Sequence, residues 1–330
     1  MTAAREARPR IGVAGATGYA GAELVGLLVD HPEVELAQVS SRTQAGRAHR
    51  EACRGSNCEL TLRPELDATE LDVVVSALPA LEAAAIAPAW LDAGALLIDV
   101  SGDFRLRDPL LYRRWYGADH PFPELLEEAV LALPELCPKG SSARVLALPG
   151  CFSTSTILAC GPAARSHLVD GDVVVDGKTG ISGAGRGAGE AYLFSELDES
   201  VLAYAVSGHR HQPEMVQALS ELAGEEVAVT FVPHLVPMTR GISATCYLRP
   251  RQGVSREELV EVYQSAYQDS PFVHLVDQPA PTKLASRTNH CFIHLALQGP
   301  RLVVSAVLDN LGRGAAGQAV QVLNWRLGLA

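Results

Sequence analysis

No apolar run in the 330 residues reaches the roughly 20 that cross a bilayer, so no membrane-spanning helix is expected. Basic clusters are also missing. With 27 Lys and Arg against 38 Asp and Glu, the formal charge is −11. This balance argues against nucleic acid or an anionic membrane as the main partner, and leaves room for a local basic pocket around a small anion. The seven cysteines are odd in number and scattered without a framework, which excludes a disulfide-stapled secreted scaffold. Cys53 and Cys58 flank Arg-Gly-Ser-Asn, but no second pair stands at ligand spacing, so no metal site is expected. The opening Met1-Thr-Ala-Ala-Arg-Glu-Ala-Arg8 lacks the apolar core of a signal peptide, and a reducing cytoplasm fits best. No internal repeat or low-complexity tract is visible. What remains is an enzyme-sized globular chain, 48% hydrophobic, whose length predicts two domains.

The first 150 residues alternate short β-rich apolar runs with longer helical patterns. Strands are expected at Ile11–Ala14, Val34–Val39, Val73–Ser76, Leu96–Val100 and Val145–Leu148. That alternation predicts an α/β fold with a doubly wound parallel sheet. Between the first two runs, Gly12-Val-Ala-Gly15-Ala-Thr-Gly18-Tyr-Ala-Gly21 leads into the helical pattern Ala22–Val29. A glycine triplet alone is a weak signal and can mark a merely tight turn. Placed after a strand and opening a helix, it predicts a dinucleotide site, with the pyrophosphate on the helix N-terminus. An acidic residue ending the second strand would bind a ribose 2′-hydroxyl, but here stands Val39-Ser-Ser41-Arg42-Thr43. Hydroxyls plus a guanidinium suit a 2′-phosphate, so NADP(H) is favoured over NAD(H). The bland alternative is a solvated surface arginine.

The stretch Leu146-Ala-Leu-Pro-Gly-Cys151-Phe-Ser153-Thr-Ser-Thr156 ends an apolar run at Pro149-Gly150 and puts a cysteine at the start of a predicted helix. Unpartnered N–H groups and the positive helix end favour the anion, so a reactive thiolate is expected where most cysteines are inert buried hydrophobes. Beyond it, strands are expected at Val173–Asp176, Val227–Phe231, Gly241–Leu248, Cys291–Leu297 and Leu302–Leu308, the last two as a hairpin, with a capping box at Ser255-Arg-Glu-Glu258. This reads as a second, α+β domain. Three polar segments in it carry candidate chemistry. Asp176-Gly-Lys178-Thr-Gly-Ile-Ser-Gly-Ala-Gly-Arg186 offers glycine-freed amides and two cations, or simply a flexible loop. In Gly208-His209-Arg210-His211-Gln-Pro-Glu214, a helix is expected to start near Pro213. Two histidines two apart do not face the same way on a helix, so one enters a site while the other supports it. Asp309-Asn310-Leu-Gly-Arg-Gly314 ends a strand, where an amide can hold a ligand or cap the last helix.

Together, Gly15-Ala-Thr-Gly-Tyr-Ala-Gly21, Leu148-Pro-Gly-Cys151-Phe-Ser-Thr154, Lys178-Thr-Gly-Ile-Ser-Gly-Ala-Gly-Arg186, Gly208-His-Arg-His-Gln-Pro-Glu214, the Phe231–Gly241 run and Asp309–Gln321 span nearly the whole chain. This combination resembles the N-acetyl-γ-glutamyl-phosphate reductases of arginine biosynthesis, in the aspartate-semialdehyde dehydrogenase-like superfamily. The Thr282–Asn289 segment looks like a divergent version of the family's Thr-Lys to Asn stretch. The resemblance implies an NADP-binding domain at 1–148 and 309–330, to which the C-terminal helix returns, and a catalytic and dimerisation domain at 149–308. It implies NADPH-dependent reduction of an acyl phosphate to a semialdehyde through a Cys151 thioester, with His209 moving the proton. Cofactor contacts are expected at Gly15, Thr17, Gly18, Tyr19, Ala20, Ser41, Arg42, Ser182, Gly183 and Asn310. Substrate contacts are expected at Arg105, Ser153, Lys178 and His211. The partner would be a small acyl phosphate, in a homodimer or homotetramer. Rival readings are aspartyl-phosphate reduction, a carrier-protein-linked aminoadipyl or glutamyl phosphate reductase of lysine biosynthesis, and a non-catalytic NADP-binding sensor.

Overall fold

The computed structural model describes residues 8–136, 142–187 and 189–329. Most of the stretch expected to lack a signal peptide, residues 1–7, therefore lies outside the described residues, as do residues 137–141 within the first expected domain. Six strands form the first sheet: β1 Arg10–Ala14, β2 Glu35–Ser40, β3 Val73–Ser76, β4 Leu96–Asp99, β5 Val130–Leu131 and β6 Val145–Ala147. Their order is β2-β1-β3-β4-β6-β5 and every pairing is parallel. All four residues of β3 are buried, as a strand covered on both faces requires. Helices α1 Tyr19–Leu28, α2 Glu82–Asp92 and α3 Pro109–Tyr116 belong to this half. From β1 the chain crosses to one side for β2 and to the other for β3. The carboxyl ends of β1 and β3 therefore frame the crevice where such sheets bind ligands.

The second sheet has seven strands: β7 Asp172–Thr179, β8 Leu202–Ala203, β9 Ala228–Leu235, β10 Ile242–Leu248, β11 Val273–Leu275, β12 Cys291–Gln298 and β13 Arg301–Leu308. It is mixed, in the order β11-β12-β13-β10-β7-β9-β8. Helices α4 Cys151–Arg165, α5 Gln212–Ala223 and α6 Arg256–Tyr267 share one hydrophobic core with it. The predicted hairpin is present, with Gln298 opposite Arg301 across Gly299-Pro300 and Gly299 at φ 56°. The capping residue Ser255 accepts the Glu258 N–H at 3.1 Å. Ten of these strands follow the sequence pattern. The others, β5, β8 and β11, are two or three residues long and lie at sheet edges, too short to show a period of two.

The last helix, α7 Gly317–Leu327, runs back to the first sheet as expected: Ala319, Val322 and Leu323 are buried in one cluster with Ile11, Val13, Leu24 and Val25. Arg240 joins the halves. It pairs with Glu23 on α1 at 3.0 Å and with Asp309 at the end of β13 at 3.0 Å.

Candidate active site

A cavity of 780 Å³ opens at the carboxyl ends of the first sheet and continues to the start of α4. Gly15, Thr17, Gly18, Tyr19 and Ala20 line one end, and Cys151, His209, His211 and Arg105 the other. Two of the loop glycines are dictated by packing. Gly15 has φ +76° and a Cβ there would stand 2.6 Å from the Ala77 carbonyl oxygen, while a Cβ on Gly21 would stand 2.2 Å from the Gly15 oxygen. At Gly18 a Cβ would make only ordinary contact. No side chain caps α1 there, so its first N–H groups, at Tyr19 and Ala20, are left to the cavity that both residues line. That arrangement fits a pyrophosphate. Behind the loop, the buried His49 bonds the Ala16 carbonyl through Nε2 at 3.0 Å and Ser56 Oγ through Nδ1 at 2.8 Å. Sequence reasoning missed His49, since it stands in a different segment from the motif it supports.

The other expected cofactor contacts converge on the same cavity. Thr17 and Ser41 share a hydroxyl hydrogen bond of 2.8 Å, and Arg42 and Ser41 both line the pocket. From the second half come Ser182 and Gly183. Asn310 also lines it, but its amide is committed within the protein, donating to Ser182 Oγ at 2.9 Å and accepting the Gly241 N–H at 2.8 Å. Arg186 lies 5.1 Å over the Tyr19 ring, bringing the glycine-rich loop across the opening.

Cys151 is the first residue of α4. Gly150 before it donates its N–H to Glu214 Oε2 at 2.8 Å, and the other oxygen of Glu214 accepts from Arg105 Nη1 at 3.0 Å. Arg105 also donates to the Val100 carbonyl at 2.8 Å. This buried pair ties α5 to the turn that presents Cys151. Glu214 was legible only as the end of a motif and not as a functional residue. Gly314 completes the seat, since a Cβ there would approach Cys151 Cβ to 2.6 Å. The divergent segment underlies it: Asn289 donates to Gln321 at 2.9 Å, and a Cβ on Gly317 would meet its Oδ1 at 2.5 Å. Lys283 is exposed.

The expectation of a resting thiolate is corrected by this surrounding. Burial pushes the Cys151 thiol up to about 11. Arg105 and the N–H groups of Phe152 and Cys151 pull it down, and Glu214 opposes them. The helix terminus therefore acts in the predicted direction but is outweighed by desolvation.

The two histidines are corrected in a second respect. Both precede α5 and sit in the turn before it, so helix periodicity does not separate them. Their rings meet edge to face at 4.6 Å, and His209 also packs edge-on against Phe152, Tyr204 and Phe231. His209 Nδ1 accepts the His211 N–H at 3.0 Å, which makes Nε2 the proton-bearing nitrogen of the neutral ring. Burial, aided by Arg210, lowers the His209 pKa to about 4. Burial holds His211 well below the usual histidine range, with His209 and the neighbouring arginines adding to the effect. Its Nδ1 has no partner among the described residues, and a Cβ on Gly150 would strike its Nε2 at 2.3 Å. Tyr204 lines the cavity and was not singled out by sequence.

Two expected substrate contacts are not brought to the cavity. Lys178 pairs with Asp176 at 2.8 Å on the half-exposed face of β7, because alternation along the strand turns Thr179, and not Lys178, toward the pocket. Ser153 is buried and donates to the His211 carbonyl at 3.2 Å, a supporting contact. Among the described residues, no group of three or more His, Cys, Asp or Glu is placed to hold a metal ion, and no helix is long and apolar enough to cross a membrane.

Residues 10–142 match the family model of the semialdehyde dehydrogenase NAD binding domain, and residues 151–310 that of the semialdehyde dehydrogenase dimerisation domain. The N-acetyl-gamma-glutamyl-phosphate reductase of Dehalococcoides mccartyi is 45% identical over 326 residues, covering 97% of this chain and 95% of that protein. The protein of the same name from Halorhodospira halophila is 46% identical over 331 residues, again covering 97% and 95%. Among solved structures, aspartate semialdehyde dehydrogenase II of Vibrio cholerae complexed with ASA superimposes with a TM-score of 0.75 at 16% identity, covering 97% of this chain and 98% of that one. Aspartate semialdehyde dehydrogenase with NADP from Candida albicans gives 0.69 at 16%, with the same coverage.

Proposed function

Because the chain belongs to the N-acetyl-γ-glutamyl-phosphate reductases, within the semialdehyde dehydrogenase family, we propose that it reduces N-acetyl-γ-glutamyl phosphate to N-acetyl-L-glutamate 5-semialdehyde and phosphate, using NADPH. The observation that carries the reading is one cavity lined both by the glycine loop at α1 and by Cys151 with His209. Residues 1–148 with 309–330 form the cofactor domain and residues 149–308 the catalytic domain. The nicotinamide cofactor supplies a hydride. Gly15–Ala20 hold its pyrophosphate, Ser41 and Arg42 its 2′-phosphate, and Ser182 and Gly183 close on it.

Cys151 sulfur bonds the acyl carbon, the carbon–oxygen bond to phosphate breaks, and the thiol proton leaves with the phosphate. The thioester carbonyl carbon then takes the hydride and its own oxygen takes a proton exchanged with solvent through His209, which gives a thiohemiacetal. Breaking the carbon–sulfur bond releases the aldehyde and returns a proton to Cys151. His209 Nε2–H would donate to that carbonyl oxygen as its negative charge develops. A positioned donor of this kind is commonly worth about 3–4 kcal/mol. Arg105 grips the acidic substrate, with His211 beside it. Glu214 is a positioning residue that holds both Arg105 and Gly150. The enzyme works as a homodimer or homotetramer in the cytoplasm, in arginine biosynthesis.

The test is the reaction run backwards with NADP, phosphate and candidate semialdehydes. NADPH should form fastest with the N-acetylglutamyl compound. Preference for aspartate semialdehyde or a carrier-bound aldehyde would refute the substrate, and no turnover with any aldehyde would leave a cofactor-binding sensor.

A further inference from the structure

The cofactor end of the cavity holds a charge that the reading above leaves unused. Arg42 Nη2 donates to Glu82 Oε2, and both side chains line the pocket. Glu82 is carried on a fixed element. It is the first residue of α2, and the residue before it, Leu81, is held left-handed at φ 76°. The N–H groups of Leu81 and Ala84 donate to the two oxygens of Asp103 at 2.7 and 3.0 Å. Asp103 is fully buried and also accepts the Tyr112 hydroxyl at 3.2 Å. Arg42, by contrast, has a side chain 62% exposed, against 33% for Glu82. The start of α2 is thus held in place, and the exposed guanidinium rests on the carboxylate it carries.

We propose that Glu82 sets the discrimination between NADPH and NADH by competing with the 2′-phosphate for Arg42. The proposal rests on the reading of Arg42 as the phosphate clamp. An ion pair this exposed is weak, and a phosphate matches the guanidinium fork at least as well as a carboxylate. The phosphate therefore takes Arg42 over. The carboxylate, carried on that fixed turn, then lies near up to two new negative charges. NADH brings no phosphate and meets no such opposition. Glu82 consequently narrows the preference for NADPH that Arg42 creates, and keeps the guanidinium oriented when no phosphate is bound. A unit charge about 6 Å from a phosphate dianion in a water-like dielectric changes affinity by about tenfold.

The experiment titrates 2′,5′-ADP and 5′-AMP calorimetrically into the parent, Glu82→Gln, Arg42→Ala and the double variant. Glu82→Gln should tighten 2′,5′-ADP about tenfold and leave 5′-AMP within twofold, which also reports an intact fold. The gain should shrink but not vanish when Arg42 is already alanine, since the carboxylate still repels the phosphate directly; a gain of undiminished size there would overturn the competition for Arg42. If Arg42→Ala weakens 2′,5′-ADP but Glu82→Gln leaves it unchanged, the role of Glu82 is overturned and the clamp survives. Loss of 5′-AMP affinity in Glu82→Gln would likewise overturn it, by making Glu82 an ordinary ribose acceptor. If Arg42→Ala leaves 2′,5′-ADP unaffected, the clamp itself is wrong.

Discussion

The resting state of Cys151 is the point at which helix electrostatics and burial disagree, and it can be measured directly. With the thiol raised to about 11 by burial, the thiolate fraction at pH 8 is about 0.1%, against roughly a quarter for a free cysteine at pKa about 8.5. Alkylation of native protein by iodoacetamide, followed by mass spectrometry at Cys151, should be slower than that of a free thiol by about two orders of magnitude at pH 8. Its rate should climb about tenfold per pH unit and level off only near pH 11. Arg105 is the cation that pulls the thiol down. Arg105→Met should therefore shift the profile to still higher pH by removing that help, and it leaves Glu214 buried without its partner. The stability loss from breaking that pair, about 3–5 kcal/mol, can be followed separately by urea unfolding. A rate that saturates below pH 8 in the parent would refute the argument, because it would mean that the α4 terminus outweighs desolvation.

Cys151→Ser should fold and bind NADPH yet lose phosphate-dependent aldehyde oxidation by at least about a thousandfold, since no strong base stands ready to make an alkoxide; residual turnover within tenfold of the parent would rule out covalent catalysis. Arg42→Ala should weaken NADPH by about 10- to 150-fold while sparing NADH, corresponding to about 1.5–3 kcal/mol for a charge-assisted pair, and fluorescence titration of both cofactors checks it. His209 is held neutral with a pKa of about 4. The unfolded chain therefore binds its proton first, and stability should fall as pH drops from about 6.5 toward 4, by on the order of 3 kcal/mol. His209→Asn should flatten that decline in chemical-denaturation curves and cut turnover by roughly 10²- to 10⁴-fold. An unchanged pH dependence, or a turnover collapse only in His211→Asn, would show that the wrong ring was assigned.

Much of this molecule is written locally. Buried runs such as Val73–Ser76 and the alternation along Ile242–Leu248 follow from the period of side chains on a pleated strand, which neighbours in sequence alone impose. Gly15 with φ +76° and the cysteine after Pro149-Gly150 are likewise legible, because a backbone conformation or a helix start is a property of a few consecutive residues. The return of α7 to the first sheet was readable from its apolar positions. Charge is different, because its effect depends on what surrounds it in space. Arg105 meets Glu214 across 109 residues, Arg42 meets Glu82 across 40, and Arg240 reaches Glu23 across 217. Lys178 was lost to the far face of its strand by a one-residue difference in phase that the glycine-rich motif concealed. Helix position alone does not give the state of the Cys151 thiol, because desolvation is set by the whole cavity wall, including Gly314 from the far end of the chain. The sequence determined the strands, the tight turns and the helix starts; the tertiary structure decided which side chains meet in the cavity and in what protonation, since electrostatic energies depend on distance and burial that no local pattern encodes.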